Sequence, residues 1–287
     1  MFQLDTAGKI LVLLFLVTAM LGVGMQTHVS DMRALLSSRS FLARLLLANF
    51  VIVPIVGVAM ALLLPLEPPV AGALLLLACT PGGLSALNFT TKVTGRVYLG
   101  GAAMCLLALL ALLISPLLLK LVLPAHVELV VPYGRYFVFI VVFLLLPLLA
   151  GMLLRAKSPA AAMKLARPVG LVSLVVFVSF MVVSGAARKA AAGEIGVVSV
   201  AAILLFIMVS MAIGWFIGGP AQETRQVLAT CTGIRNVVLC MAIVHTSAPE
   251  HAVLVPLFAF SLLMVPPDML FTVYCAVRAK RMARQAA

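Results

Sequence analysis

Charge is scarce in this chain. Of its 287 residues only 10% are Asp, Glu, Lys or Arg, and just eight are acidic, whereas 64% are hydrophobic. The mean hydropathy is +1.26. A soluble domain of this size needs far more polar surface, so the composition implies an integral membrane protein. The ten-residue polar–apolar alternation of an outer-membrane barrel is also missing; the apolar runs have helical length. No stretch is long and polar enough to be a separate soluble domain, so residues 1–287 read as a single transmembrane domain. G-x-S-x-G, H-E-x-x-H and Walker motifs are absent, and no two carboxylates share a span, so no enzyme is expected. Cys79, Cys105, Cys231, Cys240 and Cys275 form no C-x-x-C pair and fall inside apolar runs, where cysteine packs as a small buried residue. Residues 1–8 lack the basic stretch of a cleavable leader, and none is expected. The net charge of +12 is spread over loops and tail without a basic fold around it, which fits membrane topology better than nucleic acid.

What is present is a series of apolar runs. Nine spans are expected, at about 7–26, 41–64, 69–92, 97–122, 133–155, 168–188, 195–218, 225–247 and 252–277, most reaching the ~20 residues that cross a ~30 Å hydrocarbon core. The fold class is therefore all-α and polytopic. The third and eighth spans are interrupted, by Cys79-Thr80-Pro81-Gly82-Gly83 and by Thr230-Cys231-Thr232-Gly233-Ile234-Arg235-Asn236. They lie five spans apart and so cross in opposite directions, as an inverted repeat requires. Irregular backbone at membrane depth survives only inside protein or against a water-filled cavity, and a matched pair of breaks is the best sequence pointer to a transporter site. Lys9, Lys120, Arg135, Arg188 and Lys189 fall on one side of the membrane and fourteen basic residues on the other, with Arg235 inside a span. The richer side is assigned to the cytoplasm, with the N-terminus outside and the C-terminus inside; a bacterial inner membrane fits the short loops.

The polar residues inside spans are the candidate substrate- or ion-binding groups. Pro81, Gly82 and Gly83 remove a donor and free the backbone from helical geometry, exposing carbonyls to a cation and a half-helix N-terminus to an anion. Ser85, Asn88, Thr90 and Thr91 follow in the same span. Thr230, Cys231, Thr232, Gly233 and Asn236 flank the second break, and Asn49 is an amide inside the second span. Arg235 and Asp268 are the charges at membrane depth. Each costs roughly 2.5–3.5 kcal/mol at a helix centre on insertion scales, so both should face the bundle interior, where pairing with each other would lower the cost.

Several runs carry a family resemblance: Ala61-Leu62-Leu63-Leu64-Pro65-Leu66-Glu67-Pro68-Pro69-Val70-Ala71-Gly72 leading to Cys79-Thr80-Pro81-Gly82-Gly83; Met25 in its Gly-x-Gly-Met setting; Asn49-Phe50-Val51-Ile52-Val53-Pro54; and Arg225-Gln226-Val227-Leu228-Ala229 leading to Gly233-Ile234-Arg235-Asn236. The chain resembles the bile acid:sodium symporter family, with arsenite and auxin-type carriers as more distant relatives in the bile/arsenite/riboflavin transporter superfamily. The resemblance implies a panel of spans one, five and six (about 7–26 and 133–188) and a core of the other six (about 41–122 and 195–277), with the broken helices crossing near the midplane. It implies a small organic anion as substrate, moved by alternating access, with sodium bound behind the crossing, here near Asn49, Asn88 and Cys231.

The chain departs from that pattern where sodium should sit. The family's second break carries Glu, Gly, then Gln-Asn; here the Glu position is Cys231 and the Gln position Arg235, while Gly233 and Asn236 match. The Gln of the second span is Asn49, and the Ser/Thr ligands of the next span face Ala102, Ala103, Met104, Cys105 and Leu106. A hard cation wants oxygen ligands, and a guanidinium among them repels it. Two couplings stay open at this point: the family's sodium, or a sodium-independent or proton-linked carrier using Arg235 and Asp268. A sensor that keeps the fold without turnover is the alternative of another class. No resident cofactor is expected apart from sodium, the partners are the bilayer and the anion, and nothing in the residues sets an oligomeric state.

Overall fold

The computed structural model describes residues 6–83, 97–122, 138–139, 141–188, 196–247 and 253–286. Among them every regular element is a helix, and the extended pairing is a single isolated bridge between Pro81 and Arg235. In chain order the helices are α1 (Thr6–Gln26), α2 (Val29–Ser37), α3 (Arg39–Leu47), α4 (Val53–Leu63), α5 (Pro68–Ala78), α6 (Val97–Val122), α7 (Leu146–Lys157), α8 (Pro159–Arg188), α9 (Val197–Ile217), α10 (Gln222–Gly233), α11 (Val237–Ser247), α12 (Leu254–Leu263) and α13 (Val265–Ala286).

Proline sets several of these boundaries. Pro68 and Pro69 open α5 behind an extended Glu67, where the missing N–H would have been unpaired anyway. Pro54 and Pro147 sit in the first turns of α4 and α7, and each follows a π-helical turn, Ala48–Ile52 and Val141–Leu145. In the first of these the Val53 N–H bonds the Ala48 carbonyl five residues back, so the helix widens rather than stops. Arg39–Leu63 is thus one continuous span with a bulge at Asn49.

Among the described residues, Arg39–Leu63, Leu99–Val122, Pro159–Ser179, Val197–Ile217 and Leu254–Arg278 are each long and apolar enough to cross a membrane, and the pair Leu13–Gln26 and Ser30–Ser37, bent by 76°, makes a sixth if counted as one span. The expected spans 69–92 and 225–247 do not register as single helices because they are broken: α5 and α11 have 11 residues each and α10 has 12. At 1.5 Å per residue such a half-helix reaches about 17 Å, roughly half the hydrocarbon core. Parts of the expected spans 69–92 and 133–155 lie outside the described residues.

α1 packs along both α7 and α8, which pack on each other, while α9 lies along α10, α4 on α5, and α12 against α5. The α1–α7 contact depends on two glycines. A Cβ on Gly151 would meet the Leu21 carbonyl oxygen, would stand 2.7 Å from the Met25 nitrogen and 2.9 Å from the Gly24 Cα. These are backbone atoms that cannot swing aside. Gly151→Ala is therefore expected to lower thermal stability in detergent by about 1–3 kcal/mol through forced separation of the two helices, read as a fall in unfolding midpoint. The outward residues Leu171, Leu174 and Val175 of α8 are more than half exposed, as suits a lipid-facing surface. Trp215 of α9 stacks edge-on against Phe271 of α13 with centroids 5.8 Å apart.

Candidate transport site at the paired helix breaks

The two breaks lie side by side. α5 ends at Ala78, and Thr80 turns its hydroxyl back onto the Leu76 carbonyl at 2.8 Å. The chain then runs through Pro81 and Gly82, the latter at φ +89°. α10 ends at Gly233; Ile234 is extended (φ −93°, ψ 117°), and Asn236 opens α11, its side-chain oxygen accepting the Leu239 N–H at 3.0 Å. That is an N-cap bond made at membrane depth. The segments pair antiparallel through Pro81 and Arg235, and the Asn236 N–H donates to the Thr80 carbonyl at 2.8 Å. Thr80 and Cys240 touch at 2.9 Å between Oγ1 and Sγ. Gly83 must lack a side chain, since a Cβ there would run into the Arg235 carbonyl.

Arg235 ties the arrangement together. It is fully buried and is the largest of the fully buried side chains among the described residues. Its Nε donates to the Leu77 carbonyl at 2.8 Å, Nη2 to the Ala78 carbonyl at 2.5 Å, and Nη1 to Asn49 Oδ1 at 2.9 Å. The Leu77 carbonyl also accepts the Thr80 N–H at 3.1 Å, whereas the Ala78 carbonyl has no further helical N–H to accept, since the helix stops there. Asn49 is held ready for this contact: its Nδ2 donates to the Leu45 carbonyl at 3.0 Å, which leaves Oδ1 facing the guanidinium. A helix C-terminus carries partial negative charge, so the cation is well placed. One planar fork thus joins the second span, the first half of one broken helix and the link of the other.

The structure therefore brings together Asn49, Pro81, Gly82, Gly83, Arg235 and Asn236. Thr232 and Gly233 face elsewhere. Thr232 bonds back to the Leu228 and Ala229 carbonyls at 3.0 Å each, and both residues pack against α9 at Gly214 and Met211. Thr230 and Cys231 are buried and look toward Asp268 of α13. Ser85, Asn88, Thr90 and Thr91 lie outside the described residues. The expected pairing of Arg235 with Asp268 does not form: Arg235 bonds α5 and Asn49, and neither Asp268 oxygen has a hydrogen-bond partner among the described residues. The extended Ile234 takes Arg235 out of the α10 register, whereas α13 meets α10 a turn earlier, at Thr230 and Cys231. Sequence reasoning anticipated neither the Thr80–Cys240 contact nor the identity of the carbonyls that receive the guanidinium. A helix stop just before Thr80-Pro81 was the available signal for the latter.

A model of the Sodium Bile acid symporter family matches residues 13–192 of this chain. The chain belongs to that family. The matched stretch contains Asn49 and the first break, and it ends before the second break with Cys231 and Arg235. Among similar proteins, the ileal sodium/bile acid cotransporter of Oryctolagus cuniculus is 29% identical over 225 residues, which is 76% of this chain and 63% of that protein. The uncharacterized sodium-dependent transporter YocS of Bacillus subtilis is 29% identical over 174 residues, covering 60% of this chain and 54% of its own length. The hepatic sodium/bile acid cotransporter of Homo sapiens is 25% identical over 267 residues, 90% of this chain and 76% of that one. The first two matches thus span less than two thirds of the relatives' own length. This is a family of transporters, not of enzymes, and its membership accords with the all-α, multi-pass architecture and with two discontinuous helices meeting deep in the bundle.

Proposed function

We propose that the chain is a secondary carrier that moves a small organic anion across the membrane by alternating access, and that it does so without sodium. The observation that carries the sodium-free reading is the Arg235 guanidinium donating to Leu77, Ala78 and Asn49 in a fully buried site. Those three oxygens are what a hard cation would use to bridge the second span and the broken helices. Here they are spent on a permanent side-chain cation that cannot dissociate and so cannot follow a gradient. The bridge that an exchangeable ion would make and break becomes a fixed strut. In this reading α1, α7 and α8 form the panel, the remaining helices form the core, and the C-terminus faces the cytoplasm on the strength of the Lys/Arg distribution.

The relatives named for bile acids point to amphipathic carboxylates and sulfonates as the first substrates to try. Purified protein in liposomes, given labelled cholate in sodium or in choline buffer, should take up the label at equal initial rates. Uptake that requires sodium would overturn the reading. A thermal-shift screen of carboxylates and sulfonates in the same two buffers should rank ligands identically with and without sodium.

A further inference from the structure

Asp268 has no part in the strut. It is fully buried in the first turn of α13, and neither carboxylate oxygen has a hydrogen-bond partner among the described residues. An ionised carboxylate left this way at membrane depth is among the most costly arrangements a helix bundle can hold.

The surroundings of Asp268 are organised. α13 carries Asp268, Thr272 and Cys275 at spacings of four and three, which places them on one face. α10 carries Gln226 and Thr230 four residues apart. The two faces meet: Asp268 looks onto Thr230 and Cys231, and Cys275 onto Gln226. All of these side chains are buried, and the Thr272 hydroxyl also lacks a partner. They make a polar seam between the two helices.

Among the described residues no cation answers Asp268 across the seam. The titratable neighbour from α10 is Cys231. Glu223 and Arg225 stand well back on the first turn of α10, and the Arg225 Nε is bonded to the Gly219 carbonyl at 2.5 Å. α9 and α12 contain no titratable side chain. On α13 itself the neighbours are Cys275 and, ten residues or about 15 Å along, Arg278. The closed seam therefore suits the neutral acid, whose hydroxyl can donate to a threonine oxygen, and the carboxylate form needs water.

α10 is a rigid half-helix that leads directly into the break at Ile234 and Arg235. We propose that Asp268 is the coupling site: it takes a proton from water on one side of the membrane as the seam closes, and returns it to water on the other side as the seam opens, so that the organic anion travels with a proton. The chemistry is one O–H bond formed and the same bond broken, with no other reactant. The proposal rests on the carrier reading above.

Two readouts test it separately from that reading. Infrared pH-difference spectra of the purified protein should contain the C=O band of a buried protonated carboxyl at neutral pH, and Asp268→Asn should remove it. In liposomes with a trapped pH-sensitive dye, an inward proton gradient should drive accumulation of labelled cholate with acidification of the lumen. In Asp268→Asn the accumulation ratio should fall to one and the acidification should vanish, while the unfolding midpoint is retained or raised, because a neutral amide resembles the protonated acid. The proposal is overturned if the infrared band is absent, if a sodium gradient replaces the proton gradient in the parent protein, or if Asp268→Asn loses its unfolding transition, which would show that the charged form is the packed one. Absence of cholate counterflow in the parent protein would count against the carrier reading, and the infrared band would still decide whether Asp268 holds a proton.

Discussion

Arg235→Ala is expected to abolish uptake and to lower stability by about 2–5 kcal/mol, through buried acceptors left unpaired and the cavity opened. Two oxygens lose the donor that Arg235 gives them, the carbonyl of Ala78 and the Oδ1 of Asn49, while the Leu77 carbonyl keeps the Thr80 N–H at 3.1 Å. Each buried acceptor left unpaired costs about 1–3 kcal/mol, and the emptied volume adds to the loss because the surroundings relax only in part. Arg235→Lys keeps the charge but replaces a planar fork by a single ammonium, which cannot hold three oxygens in the same geometry. It should retain more stability than Ala and still fall well short of the parent. Arg235→Gln is the informative variant. It restores an oxygen and removes the charge, so the site regains the character of a cation site. The expectation is that sodium-independent uptake drops at least tenfold, equivalent to about 1.4 kcal/mol of lost transition-state stabilisation, and that sodium now raises the unfolding midpoint. Full sodium-free uptake by Arg235→Gln would show that the charge is incidental to transport.

The contrast between Arg235 and Asp268 also shows what the sequence could reveal. Both stood out because charge at membrane depth needs a reason, and both are buried as that argument requires. Their mutual pairing was inferred from their lying in neighbouring spans, and it failed because a helix break changes the direction in which the next side chain leaves. An extended residue at Ile234 turns Arg235 away from the face that carries Thr230, and no periodicity rule anticipates the angle of such a link. The breaks themselves were legible: Pro81-Gly82-Gly83 and Gly233 weaken a buried helix beside polar side chains, and pairing of one break with the other satisfies freed backbone groups, as the Asn236 to Thr80 bond does. Asn49 was legible as an amide inside a span, but its π-helical setting depends on Pro54 withdrawing a donor further along, a coupling that composition does not display. The spans were legible by length, whereas the crossing of a membrane by two half-helices is not a property that length can register.

Gly82→Ala should be the most damaging of the small substitutions. Gly82 sits at φ +89°, a conformation that L side chains rarely adopt, and a Cβ there would lie 2.5 Å from the Ala108 nitrogen, 2.8 Å from its Cα and 2.9 Å from the Leu107 carbonyl carbon. The left-handed conformation alone costs a non-glycine residue roughly 1–2 kcal/mol. The clash is harder to relieve, since all three atoms belong to the backbone of α6 and Leu107 and Ala108 are themselves buried. Either α6 shifts as a unit or the first break leaves its place beside the second. The second outcome strains the Asn236 to Thr80 bond and the bonds from Arg235 to the end of α5, so the loss should exceed the ~1–3 kcal/mol typical of overpacking. Gly170→Ala provides the control. Gly170 lies within α8 with nothing within 4 Å of an added Cβ. In a helix interior that change should leave stability equal or raise it by up to about 1 kcal/mol. Unfolding midpoints in detergent and cholate uptake in liposomes, measured on the two variants side by side, decide the matter. A Gly82→Ala protein as stable and as active as Gly170→Ala would mean that the first break does not need to lie against α6, and the paired breaks would lose their claim to be the moving centre of the carrier.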